Sequence, residues 1–261
     1  METLEVERDA RGVVTVTLSR PKVHNALSAQ MMDEVAEVAR RAAGDGTRAM
    51  VLTGAGTSFC AGGDLGWMQA SAALSVEENA ADAMALSDLL DTLDTFPCPT
   101  VARVNGAAIG GGAGLVACCD IAIASERAVF ALPEVRLGFP PSTIGPYVVR
   151  AIGARAARRH LLTGERFDAL EAYRIGLVHD VCSADNLDHR IGERVEALLA
   201  GGREALTATK RLIADVVDRP FDETSRREAA GRLAEMRTGE EARRRLDAFV
   251  EKRSSRRRGP R

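Results

Sequence analysis

The sequence predicts an α/β fold, and three observations support this prediction. Up to Cys182, short apolar segments with β-like alternation are interleaved with longer segments of helical periodicity. Two of the predicted strands run directly into glycine-rich turns. From Ala184 to Lys252 the pattern is helical throughout.

The first predicted element is a β-hairpin whose turn lies at residues 10–12, followed by a helix that begins after Ser28 as its N-cap and ends at Gly44. Apolar residues that alternate along the hairpin are Leu4, Val6, Val14, Val16 and Leu18. The later predicted elements are strand 49–53, helix 79–95, strands 100–104, 121–124 and 128–132, helices from Thr143, and strand 177–182.

A change in composition near Gly201-Gly202 predicts two regions. Residues 1–200 would form the core with the functional site, and residues 201–261 a helical C-terminal region. Those helices have little sheet to cover, so we expect them to pack on the core or on a second subunit. Residues 252–261 carry six basic side chains with no aromatic residue among them, which favours a solvated terminus over a nucleic-acid contact.

Composition excludes several classes of protein. The 261 residues carry 35 Lys+Arg against 37 Asp+Glu, and only 4% are aromatic, so nucleic acid is not an expected partner. No apolar stretch reaches the roughly 20 residues of a membrane-spanning helix. The acidic N-terminus lacks an apolar export segment, and the five cysteines include no C-x-x-C, which together favour a cytoplasmic location. The four histidines show no metal-ligand spacing, so no metal site is expected.

The two glycine-rich turns, at residues 51–65 and 101–115, share one pattern in which a strand leads into glycines and then into a predicted helix. No lysine follows either turn as in a phosphate-binding loop, Leu115 replaces the last glycine of a G-x-G-x-x-G motif, and G-x-S-x-G is absent. With these three motifs excluded, the remaining function for the glycine-rich turns is to supply a pair of backbone N–H groups, one from each turn, that point at one oxygen atom. Such an oxyanion hole stabilises negative charge that develops on a carbonyl.

Several segments in this order resemble the enoyl-CoA hydratase/isomerase (crotonase) superfamily. They are S-R-P-K-V-H-N-A-L-S, F-C-A-G-G-D-L, N-G-A-A-I-G-G-G-A-G-L, F-A-L-P-E-V-R-L-G and L-L-T-G-E-R-F-D-A-L-E-A-Y-R-I-G-L-V. The resemblance covers residues 4–250 and implies a spiral of ββα repeats with a helical C-terminal region that serves as lid and oligomerisation surface. It also implies homotrimers or dimers of trimers and a role in fatty acid metabolism. The substrate would be an acyl-CoA thioester, with coenzyme A as part of the substrate and no separate cofactor.

The resemblance further implies which residues form the site. The thioester oxygen would lie between the backbone N–H groups of Ala61 and Gly111. Lys22 matches a region near the nucleotide end of CoA, although a solvated lysine is an equal alternative. Trp67 would form a wall of the acyl pocket or, alternatively, belong to the core. The residues implied to line the acyl-CoA site in the first turn are Ala61, Gly62, Gly63 and Asp64.

The sequence departs from the family at one of the two glutamates that its hydratases carry. Glu134 in the P-E motif is the expected general acid/base, but Gly114 stands at the position of the other glutamate. Ser142 could hold a water in place of that second carboxylate, or it could cap the following helix. The segment P-P-S-T-I-G-P-Y-V-V-R-A-I-G, together with Gly114, resembles the methylglutaconyl-CoA hydratase-like branch.

Three functions follow as alternatives. The first is hydration of a 2-enoyl-CoA. In its more specific form, the acyl group of this substrate is branched or of the glutaconyl type. The second is an isomerase that moves a 3-enoyl double bond to the 2-position, for which a single glutamate suffices. The third, a distant alternative, is a non-catalytic protein that binds a CoA ester or RNA.

Overall fold

The computed structural model describes residues 1–71, 73–217, 219–220 and 222–257. Its strands are β1 (Leu4–Arg8), β2 (Val13–Leu18), β3 (Ala49–Gly54), β4 (Ser58–Cys60), β5 (Thr100–Val104), β6 (Ala107–Ile109), β7 (Ile121–Ser125), β8 (Val129–Ala131), β9 (Arg166–Asp168) and β10 (Asp180–Cys182). Its helices are α1 (Ala29–Gly44), α2 (Leu65–Ser71), α3 (Val76–Asp94), α4 (Gly111–Cys118), α5 (Gly145–Thr163), α6 (Ala169–Arg174), α7 (Leu187–Leu199), α8 (Arg203–Val217), α9 (Glu223–Thr238) and α10 (Glu240–Arg257).

The strands form two sheets. One has six strands in the order β1-β2-β3-β5-β7-β10, and all neighbours except the β1–β2 hairpin run parallel. The other has four strands in the order β4-β6-β8-β9, parallel except at β8–β9. The predicted hairpin is confirmed, with Val6 opposite Val16.

From β3 to β8, successive strands alternate between the two sheets. In each of three strand pairs, the first strand lies in the large sheet, the second lies in the small sheet, and a helix follows. The pairs are β3–β4, β5–β6 and β7–β8. This is a spiral of ββα repeats, so the predicted fold class is confirmed. The short strands β4 and β6 were not predicted within the glycine-rich turns, because three residues are too few to show a period of two.

The helices α1 and α3 begin where side chains cap free backbone amides. Ser28 Oγ accepts a hydrogen bond from the Met31 amide at 3.3 Å, which confirms the predicted N-cap of α1. At α3, Ser75 and Glu78 form a capping box, so the helix begins three residues before the predicted start at residue 79. The first turn of α3 is polar, and hydrophobic periodicity therefore could not reveal it.

The main hydrophobic core contains residues from the strands and from one face of each of these two helices. α1 contributes Met31, Met32 and Val35, each at most 1% exposed, and α3 contributes Leu89, Leu90 and Leu93. Burial of such side chains contributes about 1.5–3 kcal/mol each. The core thus fixes the ends of β3 to β6, where both glycine-rich turns lie.

The chain divides into two compact units, of which the first is Met1–Glu196 and the second begins at Ala197. The second unit contains α8, α9 and α10, with the helical character expected for the C-terminal region. Of the basic segment 252–261, residues 258–261 lie outside the described residues. Within the described part of the chain, no helix has the length and apolar character needed to span a membrane. The cytoplasmic location remains a prediction.

Candidate active site

A buried asparagine holds the turn that precedes the first glycine cluster. Asn25 has a left-handed backbone (φ 57°) and is fully buried. Its side-chain amide donates to the carbonyl oxygens of Ala55 at 2.9 Å and Ser58 at 2.8 Å, and its Oδ1 accepts from the Arg20 amide. The segment R-P-K-V-H-N therefore supports the β3–β4 connection, a role that the sequence analysis did not assign to Asn25.

The Ala61 amide is not free. It donates a hydrogen bond to the carbonyl oxygen of His24 at 3.0 Å. An N–H group that already serves a backbone acceptor is not available to a ligand oxygen without breaking that bond. The expectation that Ala61 supplies an oxyanion amide is therefore corrected.

Two residues further on, Gly63 has the free amide that Ala61 lacks. Leu27 and Gly63 form a parallel bridge, in which the Leu27 amide donates to Gly62 O at 2.7 Å and the Asp64 amide donates to Leu27 O at 2.9 Å. Because successive amides of an extended chain point to opposite edges, the N–H of Gly63 points away from Leu27. Among the described residues, no backbone or side-chain oxygen accepts a hydrogen bond from it.

The second glycine cluster starts helix α4 at Gly111. Gly110 precedes it with a positive φ of 51°, and its amide donates to Ala131 O at 2.8 Å. The amides of the first turn of a helix have no intrahelical acceptor and carry the positive end of the helix dipole. Gly111 is the first residue of α4, and its N–H likewise has no acceptor within the described part of the chain.

The two clusters touch each other. A Cβ placed on Gly62 would lie 3.8 Å from the Gly111 nitrogen, and a Cβ placed on Gly112 would lie only 2.3 Å from Cys60 O. Gly62 also has a positive φ of 90°, which a side chain would disfavour. The glycines thus allow the backbones of the two turns to approach each other, which places the free amides of Gly63 and Gly111 in one region.

Glu134 lies beside the second cluster. It begins a 3-10 turn (Glu134–Leu137) that follows β8, and its Oε1 would lie 2.8 Å from a Cβ placed on Gly110. Its Oε2 is buried and has no hydrogen-bond partner among the described residues. Burial raises the pKa of the Glu134 carboxyl, and a hydrogen bond from its own backbone amide offsets this only in part. A half-buried carboxyl with a raised pKa and one oxygen, Oε2, without a partner is suited to exchange protons with a bound ligand.

Apolar side chains fill the space next to Gly114. A Cβ on this buried residue of α4 would lie 2.6 Å from Ile144 Cγ2 and 3.6 Å from Leu90 Cδ2. No second carboxylate therefore faces the site from this position. Ser142 lies two residues before Ile144 and is exposed.

Asp64 has structural partners. Its Oδ1 accepts hydrogen bonds from the Gly66 amide at 2.9 Å and the Trp67 amide at 3.3 Å at the start of α2. Its Oδ2 forms an ion pair with Arg20 Nη2 at 2.9 Å. The hydrogen bond from Arg20 lowers the pKa of Asp64, so it remains a carboxylate at neutral pH. This pair links the segment that contains Asn25 to the first glycine cluster.

Trp67 and Met68 lie against Gly63. A Cβ placed on Gly63 would be 3.4 Å from Trp67 Cζ3 and 3.1 Å from Met68 Sδ. Trp67 is half-buried and also packs against the hydrophobic core. The two predicted roles of Trp67, in the wall of the acyl pocket and in the core, are therefore compatible.

Comparison with known proteins decides which family this arrangement represents. A family model described as "Enoyl-CoA hydratase/isomerase" matches residues 8–258. The chain belongs to the enoyl-CoA hydratase/isomerase family.

Several solved structures are similar to this chain over nearly its whole length. An enoyl-CoA hydratase from Shewanella pealeana is 40% identical, with a TM-score of 0.92 and coverage of 96% of this chain and 94% of that one. Pseudomonas aeruginosa AtuE is also 40% identical, with a TM-score of 0.92 and coverage of 96% and 97%. An enoyl-CoA hydratase from Mycobacterium smegmatis is 35% identical, with a TM-score of 0.90 and coverage of 96% of both chains.

Two site residues expected from the family resemblance make no contact with the two glycine clusters among the residues that the structure describes. Lys22 is exposed on the 3-10 turn Pro21–Val23. Ser142 is exposed in the loop before α5. Their roles remain predictions.

The packing around Gly114 predicts the effect of restoring the second family glutamate. Gly114→Glu should destabilise the protein by at least ~3 kcal/mol, because it forces a Cβ into Ile144 and buries an unpaired carboxylate. Urea unfolding followed by circular dichroism measures this loss. Adding Ile144→Ala should recover part of it, whereas a Gly114→Glu protein as stable as the parent would contradict the packing described above.

Proposed function

We propose that this chain is an enoyl-CoA hydratase that adds water to the 2,3 double bond of an acyl-CoA thioester. One observation carries the proposal: two backbone amides without acceptors, at Gly63 and Gly111, lie in touching turns beside the Glu134 carboxyl, whose buried Oε2 has no partner among the described residues. In the proposal the thioester oxygen accepts from both amides. Each such donor is typically worth ~3–4 kcal/mol of transition-state stabilisation.

Glu134 would carry both proton transfers. As a carboxylate it takes a proton from water while the water oxygen forms a bond to C3 and the C2=C3 electron pair moves toward the thioester oxygen. The enolate that results is held by the two amides, and Glu134 then returns the same proton to C2. The net change is the addition of one water without oxidation or reduction, so the proposal needs no cofactor, and coenzyme A belongs to the substrate.

The direct test is the absorbance of the conjugated thioester. Mixing the protein with crotonyl-CoA should remove this absorbance as the 3-hydroxyacyl ester forms, and mass spectrometry should show a gain of one water. No loss of absorbance with any 2-enoyl-CoA would contradict the proposed activity.

One observation favours a second candidate, an isomerase that moves a 3-enoyl double bond to the 2-position. Since Ile144 fills the space next to Gly114, Glu134 is the one carboxylate available from the two family positions. A single carboxyl can take a proton from C2 and return it to C4 without any water. A 3-enoyl-CoA would then gain the absorbance of the conjugated thioester, while crotonyl-CoA would remain unchanged.

The finer part of the proposal concerns the acyl group, which we propose to be branched or of the glutaconyl type. The pattern of residues 140–153 together with Gly114 supports it. The test compares kcat/KM for crotonyl-, 3-methylcrotonyl- and 3-methylglutaconyl-CoA. A preference for crotonyl-CoA would reject this part and leave the hydratase proposal standing.

Assembly as a homotrimer or a dimer of trimers is also proposed. Apolar side chains exposed on the C-terminal helices support packing on another subunit. They are Leu212, Ile213, Val216 and Val217 on α8, and Leu246, Phe249 and Val250 on α10. Light scattering coupled to gel filtration measures the mass directly, and a monomer at micromolar concentration would reject the proposal.

The raised pKa of Glu134 predicts the pH dependence of hydration. Because the base must be ionised in the free enzyme, kcat/KM should fall as the pH decreases through this pKa, and the fall should begin above the range of an ordinary glutamate. The pH profile of kcat/KM for crotonyl-CoA measures it. A profile that stays flat down to the ordinary pKa of glutamate would show that Glu134 is not the base.

A further inference from the structure

Trp67, the one tryptophan of the chain, is fixed by a partner outside the glycine clusters. Its indole Nε1–H donates to Oδ1 of Asp82 on α3 at 2.8 Å. The hydroxyl of Ser71 lies 3.3 Å from the other carboxylate oxygen, Oδ2, and 2.9 Å from the Trp67 carbonyl oxygen. Both carboxylate oxygens of Asp82 are therefore directed at α2.

This contact joins helices α2 and α3 through side chains. α2 is a short helix without fully buried residues, so side-chain hydrogen bonds matter for its position. Asn79 of α3 adds a second link, because its side chain donates to the Ser71 carbonyl oxygen at 3.0 Å. Of the two links, the hydrogen bond from the indole is the one that reaches the candidate site. The edge of the same ring, at Cζ3, lies 3.4 Å from a Cβ placed on Gly63.

We propose that Asp82 is a positioning residue that holds the Trp67 ring as the wall of the acyl site beside Gly63, and so sets the affinity for the apolar acyl part of a CoA ester. The inference rests on the proposed function, because it assumes that the thioester oxygen lies at Gly63. Asp82 itself acts through the indole, on α3 and away from the glycine clusters.

The physical reason is preorganisation. A tryptophan side chain has two rotatable bonds, and a ligand that must order them loses binding free energy. The hydrogen bond to Asp82 fixes the ring before the ligand arrives. The ring edge then stays next to Gly63, where the acyl carbons beside the thioester would lie. Without Asp82 the ring remains but is no longer held.

The test uses binding of butyryl-CoA, a saturated ester that cannot be hydrated, followed by the fluorescence of Trp67. Butyryl-CoA should change the emission of the parent protein. Asp82→Ala should weaken binding roughly fivefold, the equivalent of one hydrogen bond of about 1 kcal/mol, and should make Trp67 more accessible to quenching by acrylamide. Asp82→Asn keeps an oxygen acceptor for the indole and should restore both values.

The matched control is Asp88→Ala, at an exposed aspartate on the same helix.

A double-mutant cycle separates a positioning role from a general structural one. Trp67→Phe keeps a ring but removes the N–H, so Asp82→Ala should raise the KM for crotonyl-CoA roughly fivefold in the parent and have no further effect in Trp67→Phe. The value of kcat should change less than KM. Additive effects, or butyryl-CoA affinity and quenching unchanged in Asp82→Ala, would overturn the inference.

The measurements with butyryl-CoA do not depend on turnover. A protein that binds butyryl-CoA with the expected fluorescence changes but hydrates no enoyl-CoA would retain the inference about Asp82 while the proposed hydratase activity fails. A parent protein whose Trp67 emission does not respond to butyryl-CoA would overturn the inference itself.

Discussion

Glu134→Gln should reduce the rate of hydration by at least ~10²-fold, the lower end of what a positioned acid/base contributes, while binding of butyryl-CoA survives. The amide has nearly the shape of the carboxyl but cannot take the proton from water or return it to C2. Steady-state kinetics with crotonyl-CoA and fluorescence titration with butyryl-CoA measure the two quantities separately.

The same substitution should not destabilise the fold. A carboxyl whose pKa is raised in the folded state opposes folding once it is ionised, because the unfolded chain solvates the charge better. This penalty grows as the pH rises from the pKa of the unfolded state to the pKa of the folded state. At any pH above the folded-state pKa it keeps its full size. At neutral pH we therefore expect Glu134→Gln to melt at the same temperature as the parent or higher.

The matched control for Glu134→Gln is Glu37→Gln, at an exposed glutamate on α1. It should keep the full rate and the full affinity for butyryl-CoA. Hydration at the parent rate in Glu134→Gln would contradict the assignment of the acid/base. A loss of butyryl-CoA binding equal to the loss of rate would instead show that Glu134 is a binding residue.

Gly112→Ala should destabilise the protein by at least ~2 kcal/mol and abolish most activity in the fraction that remains folded. The new Cβ would lie 2.3 Å from Cys60 O and 2.9 Å from Cys60 Cβ, and neither atom is the flexible end of a long side chain. The two glycine-rich turns must therefore separate, which also separates the amides of Gly63 and Gly111. Urea unfolding and the specific activity of the folded protein give the two values.

The control for this substitution is Gly192→Ala in helix α7, where a Cβ meets no atom within 4 Å. Alanine should stabilise this helix by up to about 1 kcal/mol and leave hydration unchanged. A Gly112→Ala protein with the stability and activity of the parent would show that the two turns do not depend on their close contact.

The sequence predicted the region of the site well because its signals are local. Glycine clusters after strands, and a glutamate after proline, can be read from neighbouring residues alone. The choice of the amide could not be read in this way. Whether Ala61 or Gly63 has a free N–H depends on pairing with residues 24 and 27, which are more than thirty positions away in the chain.

The residues that support the site were missed for the same reason. Nothing near Asn25 in the sequence shows that its amide group holds the carbonyls of Ala55 and Ser58, and nothing near Asp82 shows that it faces an indole fifteen residues away. The replacement of the second glutamate was visible at Gly114. What occupies the space, Ile144, comes from the loop thirty residues later and required the fold.

The most direct test of the account is a crystal structure with butyryl-CoA bound, in which the distances from the thioester oxygen to the backbone nitrogens are measured. We expect this oxygen within about 3.2 Å of both the Gly63 and the Gly111 nitrogen, with the carboxyl of Glu134 beside C2 and C3. A thioester oxygen bound by the Ala61 amide, or by neither glycine, would contradict the central claim.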